Sequence, residues 1–117
     1  MKILVVDDDK ATRASLGRFL AARGHDLALA CSGQRGLDCI AEEPVDLVLC
    51  DIRMPKMDGL AFLETAHDRQ PALPVVMMTA YQDVDTAVAS FRGGAKDYLK
   101  KPVDVKELLA CIDKLEA

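Results

Sequence analysis

Polar side chains with chemical potential stand directly after short apolar runs in this 117-residue chain. Asp7 and Asp8 follow Ile3–Val6, and Asp51 follows Leu47–Cys50. Thr79 and Ala80 follow Val75–Met78, and Lys101 comes soon after Tyr98–Leu99. If those runs are parallel strands, three carboxylates, a hydroxyl and an ammonium share one rim. Converging carboxylates repel one another and lose stability unless a cation offsets them. A hard ion such as Mg²⁺ suits an all-oxygen donor set and commonly pairs carboxylates with phosphate oxygens. No histidine or cysteine is close by in sequence, which argues against zinc or copper. A metal, a lysine and a hydroxyl around a carboxylate suit phosphoryl chemistry, in which charge on the transferred oxygens must be neutralised. A carboxylate can itself accept the phosphoryl group as an acyl phosphate.

The elements that must position these groups are also legible. Apolar runs at Ile3–Val6, Leu27–Ala30, Leu47–Cys50, Val75–Met78 and Tyr98–Leu99 alternate with segments of helical period. Leu16, Phe19, Leu20 and Arg23 fall at i, i+3, i+4 and i+7; Leu37, Ile40 and Ala41 form a weaker stripe. Leu60, Leu63, Ala66 and His67 share a side, as do Val84, Ala87, Val88 and Phe91. The last stripe is Val105, Leu108, Leu109, Ile112 and Leu115. Gly24 and Gly93-Gly94 are stop signals, and Asp58-Gly59, Asp104 and four prolines mark boundaries. Five strands alternating with five helices predict a doubly wound α/β fold with a parallel sheet covered on both faces. Unbroken apolar strand runs agree with such burial. Binding crevices in these folds lie at the carboxyl ends of the strands.

Composition excludes several classes. The length predicts one domain, residues 1–117. Half the residues are hydrophobic, so the chain is not disordered, and aromatics are only 4%, so the core is aliphatic. Uncharged apolar stretches of about five residues fall far short of the roughly 20 that span a bilayer. No secretory leader is read at the start. A net charge of −4 argues against nucleic-acid binding by this domain. Cys31, Cys39, Cys50 and Cys111 have no metal-ligand spacing and read as small, mostly buried hydrophobes in a reducing cytoplasm. His25 and His67 read as lone surface residues, and the methionines as core filling.

Four stretches together resemble the receiver domain of two-component response regulators. They are Val5-Val6-Asp7-Asp8-Asp9, the run Asp51-Ile52-Arg53-Met54-Pro55-Lys56-Met57-Asp58-Gly59, then Met78-Thr79-Ala80-Tyr81, and the segment from Gly93 to Pro102. The resemblance covers essentially the whole chain and implies a flavodoxin-like (βα)5 fold with strand order 2-1-3-4-5. It implies that Asp51 is the phospho-acceptor. Asp8 would be a direct Mg²⁺ ligand (Mn²⁺ being able to substitute), with Asp7 binding directly or through water. Asp51 and the backbone carbonyl of Arg53 would complete the protein ligands. Thr79 would be the switch hydroxyl, the Ala80 N–H and Lys101 would hold the phosphoryl group, and Tyr98 would be the switch aromatic. The Lys101–Pro102 peptide is expected to be cis, as in the family. Lys101 is preferred over Lys100 because neighbouring strand residues face opposite ways and Lys101 directly precedes the proline. Asp9 reads as a loop or helix-capping residue. Arg53 and Tyr81, two residues past Asp51 and Thr79, occupy positions that tune acyl-phosphate lifetime in the family and are expected to shield the pocket.

The implied activity is that of a cytoplasmic switch and not of a turnover enzyme. A sensor histidine kinase would donate the phosphoryl group, and the face made by the fourth helix, fifth strand and fifth helix would address an output domain or effector. Dimerisation on phosphorylation is expected. Thr79-Ala80-Tyr81-Gln82-Asp83-Val84 with Thr86-Ala87-Val88 resembles receivers of bacterial sigma-54-dependent transcription activators. Two rivals fit worse. A haloacid-dehalogenase-type phosphohydrolase needs a D-x-D nucleophile motif with a small or hydroxyl residue after it, where this chain has Asp7-Asp8-Asp9-Lys10. A flavodoxin-like flavin binder needs a hydroxyl- and glycine-rich loop there, and three acids would repel its phosphate.

Overall fold

In the computed structural model, which describes residues 1–81 and 83–116, strands and helices alternate along the chain. Gln82 and Ala117, both inside the expected domain, lie outside the described residues. The elements are β1 (Lys2–Val6), α1 (Lys10–Ala21), β2 (Asp26–Ala30), α2 (Gly33–Glu42), β3 (Leu47–Asp51), α3 (Gly59–Arg69), β4 (Val75–Thr79), α4 (Val84–Arg92), β5 (Asp97–Lys100) and α5 (Val105–Glu116). All strand pairs are parallel, in the order β2-β1-β3-β4-β5. The order reverses between β1 and β3, so their carboxyl ends lie side by side under the crevice. Among the described residues, no helix is long and apolar enough to cross a membrane.

Strand side chains alternate across the sheet and build two cores. Leu4, Val6, Val48, Cys50, Val75 and Met77 face α2 and α3, meeting Leu37, Ile40, Phe62, Leu63 and Ala66. Ile3, Val5, Leu47, Leu49, Val76, Met78 and Leu99 face α1 and α5, meeting Leu16, Leu20, Leu108 and Ile112. β1, β3 and β4 are covered on both sides, whereas the edge strand β2 leaves Leu29 half exposed. The apolar run at β2 therefore overstates its burial.

The helices start where short polar side chains can accept orphan backbone N–H groups. Asp9 caps α1, accepting from the Ala11 N–H and the Thr12 hydroxyl. Ser32, Asp58 and Asp83 cap α2, α3 and α4. Asp104 accepts the Lys106 N–H at the start of α5. Gly24 and Gly94 take positive φ after α1 and α4, as the turns there require. His67, expected on the surface, instead packs against Gly94: a Cβ added there would sit 2.7 Å from the His67 Nδ1.

Three readings of helical faces are corrected. On α3 the buried stripe is Gly59, Phe62, Leu63 and Ala66, with Phe62 fully enclosed, while Leu60 is only half buried. The α1 helix ends before Arg23, whose guanidinium lies over the Phe19 ring at 5.1 Å. The apolar stripe of α4 faces outward, with Val84 77%, Val88 40% and Phe91 52% exposed. The helix sits on the sheet through Ser90, whose hydroxyl donates to the Thr86 carbonyl. Periodicity identifies a stripe but not the side of the helix that a short neighbouring strand can cover. The cysteines also divide. Cys50 and Cys111 are buried, Cys39 is half buried and Cys31 is exposed.

Two truncations test this arrangement. Phe62→Ala should lower stability by about 3–5 kcal/mol, as expected for emptying a full aromatic site. Phe91→Ala should change it by no more than about 0.5 kcal/mol. Urea unfolding of both variants checks this, and a large loss for Phe91→Ala would contradict the outward orientation of α4.

Candidate phosphoryl-transfer site

The end of β1 places Asp7 fully inside the protein. Its backbone N–H donates to the Ala30 carbonyl at 3.0 Å, and its own carbonyl accepts from Arg13 Nη1 at 2.6 Å. Both carboxylate oxygens are engaged: Oδ1 accepts the Asp9 N–H at 2.9 Å, and Oδ2 accepts Lys101 Nζ at 2.6 Å. Asp8, the next residue, is exposed. Asp51 is the last residue of β3, pairs in register with Met78 of β4, and is 7% exposed. Lys101 Nζ lies 3.3 Å from its Oδ2, so one ammonium bridges two acids on neighbouring strands. The Lys101–Pro102 peptide is cis. Lys100 is exposed.

Asp7, Asp8 and Asp51 can each present a carboxylate oxygen within 4.8 Å of the other two. The donors are all oxygen and carry formal negative charge, which fits a hard divalent cation and not a soft one. Burial raises the Asp51 pKa above the ordinary carboxylate value, and the charge of Asp7 adds to this; Lys101 and the Arg53 backbone work against it. Burial alone would lower the Lys101 pKa. The hydrogen bond to Asp7 and the charges of Asp51 and Asp7 outweigh burial and raise it. Cys50, buried behind the site, has its thiol pushed well up by burial and by the neighbouring acids.

The loop after β3 fixes Asp51 from behind. The Ile52 N–H continues the ladder to the Met78 carbonyl at 3.0 Å, and the Gly59 N–H closes the loop onto the Ile52 carbonyl at 2.7 Å. Lys56 takes a positive φ of 68° at the loop's tip. A Cβ on Gly59 would fall 2.1 Å from the Asp51 carbonyl oxygen and 2.7 Å from the Ile52 Cα, so only glycine fits behind the carboxylate. The sequence marks Gly59 as a helix-start signal and as the end of the Asp51–Gly59 run, but not as a close approach to the Asp51 carbonyl. The Arg13 contact gives no sequence signal either, because a lone arginine in the first turn of a helix does not announce a bond to a carbonyl six residues before it.

On the other side stands Thr79, buried at the end of β4. Its hydroxyl donates to the Tyr81 carbonyl and accepts the Tyr81 N–H, both at 3.0 Å. Ala80 is exposed on the rim. Tyr98 on β5 is half buried, with its hydroxyl 3.5 Å from the same Tyr81 carbonyl. Arg53, two residues past Asp51, and Tyr81, two past Thr79, stack on each other with the guanidinium carbon 4.5 Å from the ring centroid. The structure thus gathers Asp7, Asp8, Asp51, Lys101 and Thr79 on one rim, with Arg53, Ala80 and Tyr98 around it.

Comparison with known proteins agrees with this geometry. The family model described as response regulator receiver domain matches residues 3–113. The transcriptional regulatory protein ZraR of Escherichia coli K12 is 47% identical over 112 residues, covering 96% of this chain and 25% of that protein. The DNA-binding transcriptional regulator NtrC of Klebsiella pneumoniae is 44% identical over 110 residues, covering 94% and 24%. The chain therefore spans about a quarter of the length of these curated relatives. A CheY-like receiver domain protein from Methanospirillum hungatei superposes with a TM-score of 0.93 at 37% identity, over 98% of this chain and 93% of that one. A two-component response regulator from Clostridium difficile gives a TM-score of 0.94 at 26% identity, over 98% and 94%.

The electrostatics of the rim make a pH prediction. A carboxyl whose folded pKa is raised contributes stability at low pH and loses it as pH rises through the folded value. In EDTA, Asp51→Asn should therefore be more stable than wild type at neutral pH. The difference should vanish as pH falls below the ordinary carboxylate value of 3.8. Mg²⁺ at 100 times its dissociation constant should restore about 2.7 kcal/mol to the wild type and less to the variant. Urea titrations across pH, with and without Mg²⁺, measure both effects. An Asn variant less stable than wild type at neutral pH in EDTA would show that the acids are not in conflict.

Proposed function

This chain belongs to the response regulator receiver domain family, and on that premise we propose that it is a phosphorylation-activated switch with Asp51 as phospho-acceptor. The observation that carries the reading is the placement of the Asp51 carboxylate beside Asp7, Asp8 and Lys101, with the Thr79 hydroxyl at the end of the next strand. The donor is a phosphohistidine of a sensor kinase in the cytoplasm, and small acyl phosphates can replace it. An Asp51 oxygen attacks phosphorus, the P–N bond to the donor imidazole breaks, and an acyl phosphate forms while the imidazole leaves with the bonding electron pair. Mg²⁺ held by Asp7, Asp8, Asp51 and the Arg53 carbonyl would supply charge neutralisation for the phosphoryl oxygens. Lys101 gives a second positive charge, and Thr79 and the Ala80 N–H donate hydrogen bonds to the transferred group. Asp7 is anchored by four hydrogen bonds, whereas exposed Asp8 is free to meet a ligand directly.

Output follows from a two-state shift. Thr79 turns toward the phosphoryl group, Tyr98 turns inward, and the surface of α4, β5 and α5 changes. That surface already carries exposed Val84, Val88, Phe91 and Val105, an unusual apolar content for a free face. ZraR and NtrC are transcriptional regulators. By analogy, the partner controlled by this receiver is a transcriptional output domain, and activated receivers pair through the same face.

Acetyl phosphate with Mg²⁺ should add one phosphoryl mass to the protein, and Asp51→Asn should abolish the addition. Unchanged labelling of the variant would remove Asp51 from the role. Sedimentation with beryllofluoride and Mg²⁺ should shift the protein from monomer toward dimer, and Val88→Glu should prevent the shift. A dimer that forms equally well in the Glu variant would place the contact elsewhere.

A further inference from the structure

The Tyr81 peptide is a junction. Its carbonyl accepts the Thr79 hydroxyl at 3.0 Å, and the Tyr98 hydroxyl points at the same oxygen from 3.5 Å. A hydroxyl has one proton to donate. While Thr79 gives that proton to Tyr81, it has none for a group on Asp51. What holds the Tyr81 peptide therefore decides how readily Thr79 is released. The Tyr81 side chain is 61% exposed and has little packing of its own. The Arg53 guanidinium over its ring at 4.5 Å is a contact from across the site, made by the loop after β3 to the loop after β4. The charge of Arg53 also reaches Asp83, where it helps to hold the carboxyl below its ordinary range after the stronger effect of the bonds from Thr86. Asp83 caps α4 by accepting the Thr86 N–H at 2.7 Å and the Thr86 hydroxyl at 2.9 Å.

We propose that the Arg53 side chain is a positioning residue, a strap that stacks on Tyr81 and ties the β4–α4 loop and the start of α4 to the fixed loop behind Asp51. The strap keeps the Thr79 hydroxyl on Tyr81 in the unphosphorylated protein and resists movement of α4. Its role in signalling rests on the phospho-switch reading, but its existence does not, because it acts before any phosphoryl group arrives. Ser90 is the one fully buried residue of α4, so what holds the loop that leads into the helix has more weight than it would for a helix with a buried apolar face.

Amide exchange on the unphosphorylated, metal-free protein separates the two. Arg53→Met should speed exchange across Val84–Arg92 by about two- to five-fold, the worth of an exposed cation–π contact, and leave Val75–Met78 unchanged. Tyr81→Leu should do the same, and the double variant no more than either alone. Tyr81→Phe, which keeps the ring, should match wild type, and Arg53→Lys should restore much of the protection. Unchanged α4 exchange in Arg53→Met, an equal rise in β4, or additive effects in the double variant would each overturn the strap. Loss of labelling at Asp51 is a separate measurement and bears only on the phospho-switch reading.

Discussion

Two acids buried side by side set the terms for the rest of this molecule. Asp7 follows β1 and Asp51 ends β3, and the direct pairing of these two strands keeps the acids adjacent. Lys101, brought in by β5, spans both and keeps the conflict tolerable without removing it. Asp7 is held by Arg13, the Asp9 N–H, the Ala30 carbonyl and Lys101, while Asp51 is backed by the Gly59 turn. Neither carboxylate can relax by moving away. The pocket thus concentrates negative charge that a hard cation would offset.

Much of this was readable from sequence because it depends on local order. An acid directly after an apolar strand run must lie at that strand's carboxyl end, and parallel topology then puts Asp7, Asp51, Thr79 and Lys101 on one rim. The alternation of side chains allows only one of Lys100 and Lys101 to face the site, and the family resemblance at Pro102 selects Lys101. What could not be read depends on approach between distant parts of the backbone. Gly59 is needed because α3 begins against the Asp51 carbonyl, and nothing in a helix-start pattern announces that distance. The meeting of Arg53 with Tyr81 depends on the register that pairs Asp51 with Met78. The stripe on α4 was visible as a stripe, but its outward direction was set by Ser90 taking the inner position.

The site is mechanically asymmetric. Its β3 side is closed by backbone contacts, with the Gly59 N–H on Ile52 and the Ile52 N–H on Met78. Its β4 side, past the Lys101 N–H bond to the Thr79 carbonyl, is held by the hydrogen bonds of the Thr79 hydroxyl to Tyr81 and by an exposed stacked pair. Bonds of the first kind are tied to the course of the backbone, whereas a side-chain hydroxyl can change partners by rotating. The two sides of the Asp51 carboxylate thus differ in how readily their contacts can rearrange.

The weak attachment of α4 also bears on how such a domain diversifies. Most core positions answer to the fold, and a change there must be compensated by neighbours. Val84, Val88 and Phe91 are under no such obligation, because the sheet is sealed without them. Mutations at these positions can alter the exposed surface of α4 while leaving the buried core of the sheet in place. One fold can thus present different outer faces through drift on a single helix, with surface chemistry evolving separately from folding.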